Sequence, residues 1–389
     1  MTHVPLIVAL ILAAAPPASP LGDDEYPMAD PAPEPATPDA PKKAKKLTFK
    51  YRLRVIAGAR LTDRGTGVDA DGGPIGLPQR AGSIQLRQAR ARFDAKYRDI
   101  LRVRLSLEAS DFVKSAKAGR VLRDAWTNVK IRPGFQIRAG NFKRPYSRIE
   151  LRGMSKLAFI GRGLFNDYAV EDLGYGDRAV GAGMWGAVDL ERPGAHAFSW
   201  AVTASNAALS GAPNGVDLHA RLTWDPVHWL SFGGAGAFKS VQDPLANEAV
   251  CRSKWTRGAE CRRRVFGGGI DLAVTIKGLY ASAEANLAQD WRGADDSPWI
   301  LGALAHASYD LQVGSNVRLQ PVVVGEFIDT NLSYAETEAI RAVAGFNVLW
   351  KKRLRIMPQA SWVIPLPPVT AYNSFVPRRI YGVWLAVQI

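Results

Sequence analysis

Arginine side chains recur at alternate positions along several stretches of the sequence. In LRVRLSLEAS, residues 101–110, Arg102 and Arg104 occupy one set of alternate positions, and leucine, valine and alanine occupy the other. This period of two is typical of a β-strand with one apolar and one polar face. A guanidinium group presents a planar fork of donors that suits phosphate or carboxylate. The stretch therefore predicts a strand whose polar face favours anions.

The same pattern recurs in LTFKYRLRVIAGA, which begins at Leu47, and in ARARFDAKY, which begins at Ala89. Residues 47–143 contain 21 Lys and Arg against 8 Asp and Glu. The difference, 21 minus 8, is +13, which is nearly all of the chain's net charge of +14. Ile84 and Leu86 have the opposite parity, which predicts a β-bulge near Arg87. The cations at the polar alternate positions of these strands are Lys50, Arg52, Arg54, Arg90, Arg92, Lys96, Arg102, Arg104, Lys130, Arg132 and Arg138.

Other chemistries have little support in the sequence. The five histidines are scattered and show no metal-ligand spacing among themselves or with the cysteines. The GGG at 267–269 lies in a strand pattern with no helix after it, so it is not a phosphate loop. We find no nucleophile elbow and no Ser-His-Asp signature. We therefore predict no catalytic residue, no metal and no cofactor, although distant barrel residues could still assemble a site.

The N-terminal region differs in composition from the rest of the chain. Val4–Ala15 form an apolar segment followed by small residues and prolines, which predicts a signal peptide over 1–19; a buried helix is the alternative. Residues 20–46 are rich in proline and alanine and predict a disordered periplasmic leader. Export would allow Cys251 and Cys261 to form a disulfide, the alternative being two unlinked thiols.

From residue 47 to 389, about sixteen stretches alternate like strands, and no apolar run approaches the roughly 18 residues of a membrane helix. Short turns alternate strictly with long connections. The long connections are 60–82, 111–121, 144–177, 206–215, 240–262, 291–297, 330–336 and 365–377. This plan is typical of an all-β transmembrane antiparallel β-barrel in the outer membrane of a Gram-negative cell. The aromatic residues expected in its lipid-facing girdles are Trp200, Trp224, Phe232, Phe238, Trp299, Tyr309, Trp350, Trp362 and Tyr381.

The membrane decides which way the cations face. An arginine or lysine pointing into lipid at the bilayer midplane would cost about 2–4 kcal/mol, so the cations must face the lumen. Strands 1–5 would then form one basic wall, which concentrates anions and repels cations. Nucleic-acid binding is disfavoured, because most aromatic residues share the opposite face. The third long connection is basic as well, through Arg144, Arg148, Arg152, Lys156 and Arg162, and we expect these cations to line the pore.

Residues 122–145, LRDAWTNVKI…GFQIRAGNFKRP, resemble a strand–turn–strand of the phosphate-selective porin O/P family that ends in Gly-x-Phe-Lys-x-Pro. SKLAFIGRGL and DRAVGAGMWG resemble the family's following loop segment and strand. The resemblance covers roughly 47–225. It implies a sixteen-stranded, trimeric outer-membrane channel whose third loop folds inward, with anion selectivity and phosphate or polyphosphate as substrates. Lys143 is carried over by motif position, with either an anion-binding or a structural role.

The sequence thus favours a passive, anion-preferring diffusion channel, with outer-membrane lipid and small anions as partners, no nucleic acid, and a homotrimeric state. A phosphate-binding site within the pore is the sharper version of this hypothesis. Two alternatives remain open: a structural or adhesin-type barrel with a filled lumen, and an outer-membrane barrel enzyme.

Overall fold

A computed structural model of the protein describes residues 47–64, 67–68, 74–75, 79–110, 121–132, 134–154, 156–189, 197–206, 215–242, 262–292, 297–335, 337–351, 353–366 and 378–388. The predicted signal peptide (1–19), the predicted leader (20–46) and the cysteine pair Cys251 and Cys261 lie outside these residues.

Sixteen long strands form in this described part of the chain, and each pairs antiparallel with its neighbours in sequence. The first eight are β1 (Leu47–Arg64), β2 (Gln79–Tyr97), β3 (Leu101–Glu108), β4 (Leu122–Arg132), β5 (Phe135–Lys143), β6 (Arg178–Asp189), β7 (Ala197–Asn206) and β8 (Val216–Val227). The others are β9 (Leu230–Gln242), β10 (Arg262–Ile276), β11 (Leu279–Gln289), β12 (Trp299–Tyr309), β13 (Val317–Asp329), β14 (Glu338–Trp350), β15 (Leu354–Leu366) and β16 (Arg378–Gln388). Three two-residue strands, Gly67–Val68, Pro74–Ile75 and Leu311–Gln312, lie in the connections.

The sheet closes on itself. β1 pairs with β2 along its whole length and with β16 from Arg54–Gln388 to Arg64–Arg378. Each of the sixteen long strands described thus has a neighbour on both sides, as a sheet in lipid requires, because hydrocarbon cannot satisfy unpaired backbone groups. The predicted all-β barrel is confirmed. Its first long connection is shorter than predicted, because β1 continues to Arg64 and β2 begins at Gln79.

The side chains alternate as predicted. In β3, Leu105 is 43% exposed on the outer face, whereas Arg104 is 2% exposed on the inner face. The predicted girdle residues have outward parity, and Phe198, Trp224 and Phe232 stack side by side there, with centroids 6.1 and 5.7 Å apart. Between its two rims the outer face is therefore mainly apolar, and the inner face carries most of the charges.

The predicted bulge near Arg87 is confirmed. Ile56 pairs with Gln88 and Ala57 pairs with Leu86, so Arg87 is the extra residue of β2 at the register shift. Its guanidinium lies 5.3 Å from the ring of Trp384, a buried residue on the inner face of β16. The bulge thus turns Arg87 toward the lumen.

Residues 144–177, called loop 3 below, fold into the barrel as predicted. The loop contains a short α-helix, α1 (Arg148–Leu151), which Ser147 caps through its hydroxyl, and a π-helix, Asn166–Asp172. Its apolar side chains pack against the inner wall of the later strands. One such cluster joins Ile149, Leu157 and Phe159 of the loop to Leu304, Val322, Val324 and Val343 of β12–β14. None of the helices described has the length and apolar character needed to cross a membrane.

Candidate functional site

The inner faces of β1 and β2 bring arginines into direct opposition. Arg52 pairs with Arg92, and Arg54 pairs with Arg90, so each pair shares one face at neighbouring positions. Like charges directly opposite each other in a sheet are destabilising. An anion seated beside such a pair relieves this repulsion. The arrangement therefore suits a site at which anions gather.

Carboxylates offset part of this wall, as the sequence suggested. Asp94 accepts from Arg104 Nε at 2.8 Å and lies 3.1 Å from Arg102 Nη2, and Glu108 lies 3.1 Å from Arg90 Nε. Asp124, which also sits within the basic sequence, instead pairs with Arg178 of β6 at 2.8 Å. The acids hold individual guanidinium groups in place, and three of them do not balance the cations around them.

The remaining predicted wall residues occupy different depths. Lys50 is exposed near the periplasmic end of β1, Arg132 is exposed at the end of β4, and Lys130 is half-buried. Lys96 contacts Asp99 of the first periplasmic turn at 2.6 Å. Arg54 donates to Gln388 Oε1 of β16, with Nη2 at 3.1 Å. The basic wall therefore runs from the periplasmic mouth into the barrel.

Arg138 has an aromatic setting. Its guanidinium carbon lies 4.0 Å from the ring centroid of Trp126 and 3.9 Å from that of Trp185. Arg104 lies 4.9 Å from the same Trp126 ring. Cation–π contact on two sides holds the Arg138 charge in one position. The inner wall here contains bulky aromatic residues, which the sequence analysis did not place inside.

The structure differs from the prediction that the cations of loop 3 line the pore, because most of them are buried against carboxylates. Arg144 pairs with Asp217 at 2.7 Å and Arg148 with Asp271 at 2.5 Å. Lys143, the last residue of β5 and also a predicted pore-lining cation, pairs with Glu150 at 2.9 Å. Arg162 also pairs with Glu150, and Arg152 stacks on Tyr280 at 3.9 Å. Buried charges need such partners, so these residues fasten the loop to the wall and leave only Lys156 half-exposed.

Glu284 of β11 is a second anchor for the loop. Its carboxylate accepts from Ser147 Oγ at 2.9 Å, from Ile149 N at 3.2 Å and from Asn166 Nδ2 at 3.0 Å. These three donors come from both ends of the inward segment. The carboxylate therefore holds α1 and the π-helix against the same point of the wall.

The GGG stretch makes room for loop 3. A Cβ atom on Gly267 would come within 2.8 Å of Tyr146 Oη and of the Tyr175 ring. The Tyr146 hydroxyl donates to Leu287 O at 2.6 Å, and the Tyr175 hydroxyl donates to Gln289 O at 2.9 Å. The absence of a side chain at Gly267 thus lets both tyrosines reach the backbone of the wall.

The solvent-facing side of loop 3 is acidic. Asp167, Glu171 and Asp172 of the π-helix are exposed, although the barrel surrounds them. Partial desolvation raises the pKa of Glu171 to about 7, and the nearby negative charges of Glu150 and Asp167 add to the rise. Desolvation also raises the pKa of Asp167, against which the positive charges of Arg341 and Arg87 act. Loop 3 therefore presents carboxyl groups to the lumen where the sequence predicted cations.

Further inward arginines, which were not among the predicted site residues, lie around these carboxyl groups. Arg60, Arg341 and Asp167 all act electrostatically on Arg87, and Arg64 and Asp167 act on Arg378. The parity of Arg52 and Arg54, continued along β1, would have found Arg60 and Arg64. We call these residues, which lie toward the end of the barrel with the long connections, the upper arginine cluster: Arg60, Arg64, Arg87, Arg341 and Arg378.

The described part of the chain contains no group of His, Cys, Asp and Glu that could hold a metal ion. Ser282 Oγ lies 3.0 Å from His306 Nδ1, but both residues are buried, and Phe159 of loop 3 packs on the imidazole at 5.2 Å. This serine–histidine pair is therefore covered by the loop.

A closed sixteen-stranded barrel with an apolar outer face, a charged inner face and an inward third loop defines a general class, the outer-membrane porins. Solved structures share this fold. OmpT of Vibrio cholerae has a TM-score of 0.57 at 10% identity, covering 90% of this chain and 99% of that one. An anion-selective porin from Comamonas acidovorans has 0.56 at 11% identity, covering 88% and 100%. The outer membrane channel DcaP of Acinetobacter baumannii has 0.55 at 13% identity, covering 90% and 99%.

The family is shown by sequence as well. The family model "Phosphate-selective porin O and P" matches residues 66–265, half of the chain. The protein belongs to that family and is a porin of the Gram-negative outer membrane. No curated protein matches it significantly in sequence.

Proposed function

We propose that this porin is a passive diffusion channel that prefers anions. The observation that carries the proposal is the direct opposition of Arg52 to Arg92 and of Arg54 to Arg90 on the inner face of neighbouring strands. A solute that carries phosphate or carboxylate can accept from both guanidinium groups of a pair. The family's name and the arginine forks both favour phosphate-bearing solutes, polyphosphate included.

Loop 3 modifies this preference. Its buried cations fix its position, and its exposed carboxyl groups face the upper arginine cluster. An anion entering from outside meets positive charge on the wall and negative charge on the loop. We therefore expect a net preference for anions that the arginines of the wall set and the carboxyl groups of loop 3 reduce.

The proposal includes no chemical reaction and no cofactor: solutes move down their gradients. The enzyme alternative would need an accessible nucleophile. The Ser282–His306 pair lies beneath Phe159, and in the described part of the chain His306 Nε2 has no hydrogen-bond partner that would orient the ring. These features favour a structural role for that pair.

The resemblance to the family also supports a homotrimer, which we include in the proposal. Light scattering of the detergent-solubilised protein, corrected for bound detergent, tests this state separately from conduction. A mass of one chain per particle would contradict it.

Planar-bilayer recording tests the channel itself. Under a KCl gradient we expect open channels whose reversal potential has the sign of chloride permeation. A cation-preferring or non-conducting protein would overturn the proposal. Added phosphate should reduce the chloride current in a concentration-dependent way. A chloride current that phosphate leaves unchanged would remove the phosphate site and keep the general anion channel.

A further inference from the structure

The outer face of the barrel has an apolar concavity where its first and last strands meet. It has a volume of about 780 Å³ and lies across β14, β15, β16, β1 and β2. Small residues form its floor, including Ala59, Gly82, Ala344 and Ala360. Larger ones stand around it: Ile84 is 90% exposed, and Phe346, Tyr381 and Val383 are exposed as well. The concavity is therefore a lane on the lipid-facing wall, bounded by apolar side chains.

A charged row lies above this lane on the same outer face. Asp63 pairs in register with both Arg80 and Arg379, so the three side chains point to the same side as the outward Leu61 and Tyr381 two residues away. The Arg80 side chain is 73% exposed, and its Nη2 lies 3.7 Å from Asp63 Oδ2. Two arginines and one aspartate leave the row with a net positive charge.

The position of this row along the barrel axis matches that of the lipid headgroups of the outer leaflet. Asp63, Arg80 and Arg379 border the long connections, which lie on the external side of such a barrel. Val383, beside the lane, is four residues below Arg379, about 13 Å at the rise of a β-strand. The lane is thus at acyl-chain level, and the charged row is at the level of the outer-leaflet headgroups.

We propose that this surface binds an anionic, phosphate-bearing lipid of the outer leaflet, with an acyl chain in the lane and a phosphate at Arg80 and Arg379. The net positive charge of the row favours a negatively charged partner, and anionic headgroups at this height supply one. The inference rests on the outer-membrane location and is independent of the proposed anion preference.

Native mass spectrometry of the full chain in detergent tests the proposal, with purified lipid A as the anionic probe and phosphatidylcholine, a zwitterion with no net charge, as the comparison. We expect lipid A adducts to survive detergent exchange. The combined substitutions Arg80→Gln and Arg379→Gln should weaken binding by about fivefold for each arginine. Ala344→Phe fills the lane and should weaken it as well. Ala204→Phe, on the outer face of β7, is the matched control and should leave binding unchanged.

Three results would overturn the proposal. Phosphatidylcholine could bind as tightly as lipid A, or the double arginine variant could bind lipid A like the wild type. Ala344→Phe could change the oligomeric state with lipid A binding unaltered, which would assign the lane to a second copy of the chain. Bilayer conductance of each variant reports folding, because none of these residues lines the lumen.

Discussion

Arg144 Nη1 lies 2.7 Å from Asp217 Oδ2, and the two side chains are 1% and 0% exposed. The pair joins the first residue of loop 3 to the inner face of β8. Lys239 of β9 approaches the same carboxylate atom at 2.9 Å. This fully buried cluster anchors the start of the loop to the barrel wall. Breaking it should lower the free energy of unfolding and alter the conductance.

Arg144→Gln should lower the free energy of unfolding by about 1.5–3 kcal/mol, because the buried Asp217 carboxylate loses one charge-assisted hydrogen bond and keeps Lys239 as its cation. Urea unfolding in detergent, followed by tryptophan fluorescence, measures this change. Arg80→Gln is the control: its ion pair is exposed and should contribute no more than about 1 kcal/mol. Equal losses in the two variants would contradict the buried-anchor interpretation.

The opposed arginines should set the ion selectivity. Arg52→Gln combined with Arg92→Gln should lower the anion-to-cation permeability ratio by about five- to tenfold. Each charge some 7 Å from the ion path contributes roughly 0.6 kcal/mol in water, about half of that in 0.1 M salt, and acts with opposite sign on the anion and the cation. Reversal potentials in a KCl gradient give this ratio. Arg98→Gln with Lys277→Gln removes the same charge from the periplasmic turns and should change the ratio less than about twofold. A similar fall in both double variants would show that overall charge, and not the wall, sets selectivity.

Selectivity should also depend on pH through Glu171, whose pKa is raised to about 7 by partial desolvation and neighbouring carboxylates. Above this pKa the carboxylate is ionised and repels anions; below it the neutral acid does not. The anion-to-cation ratio should therefore rise about two- to threefold between about pH 8 and about pH 6.

Glu171→Gln should show the low-pH ratio at both pH values. Asp172→Asn, one position along the π-helix, removes an exposed charge and should keep the pH dependence. A pH profile unchanged by Glu171→Gln would assign the titration to another group.

Gly267→Val should displace loop 3, because even a Cβ atom at this position would come within 2.8 Å of Tyr146 Oη. We expect a larger and noisier single-channel conductance, together with a loss of stability of about 1–3 kcal/mol from overpacking. Gly236→Val is the control, since a Cβ atom there meets nothing within 4 Å. A Gly267→Val channel with wild-type conductance would show that loop 3 does not depend on this close approach.

Strand facing was predictable because lipid imposes it. The alternation around Arg102 and Arg104, and the parity change at Arg87, follow from the need to keep cations out of hydrocarbon. The burial of the loop 3 cations was not predictable by this route. Arg144 and Arg148 find their carboxylate partners 73 and 123 residues further along the chain, and no local pattern links them. The family resemblance placed the loop inside the barrel but did not indicate which of its faces carries the charge.

The bulge in β2 has a consequence for how such a channel can acquire charge. Arg87 occupies an extra position, so deleting it would restore regular pairing and leave Ile84 and Leu86 facing lipid as they do now. The lumen would lose one cation, and the outer surface would keep its composition. A single inserted residue can thus alter the pore while the membrane-facing side of the same strand is unaffected. Insertion or deletion of a residue at this bulge therefore changes the charge of the lumen and leaves the lipid-facing side chains of the strand as they are.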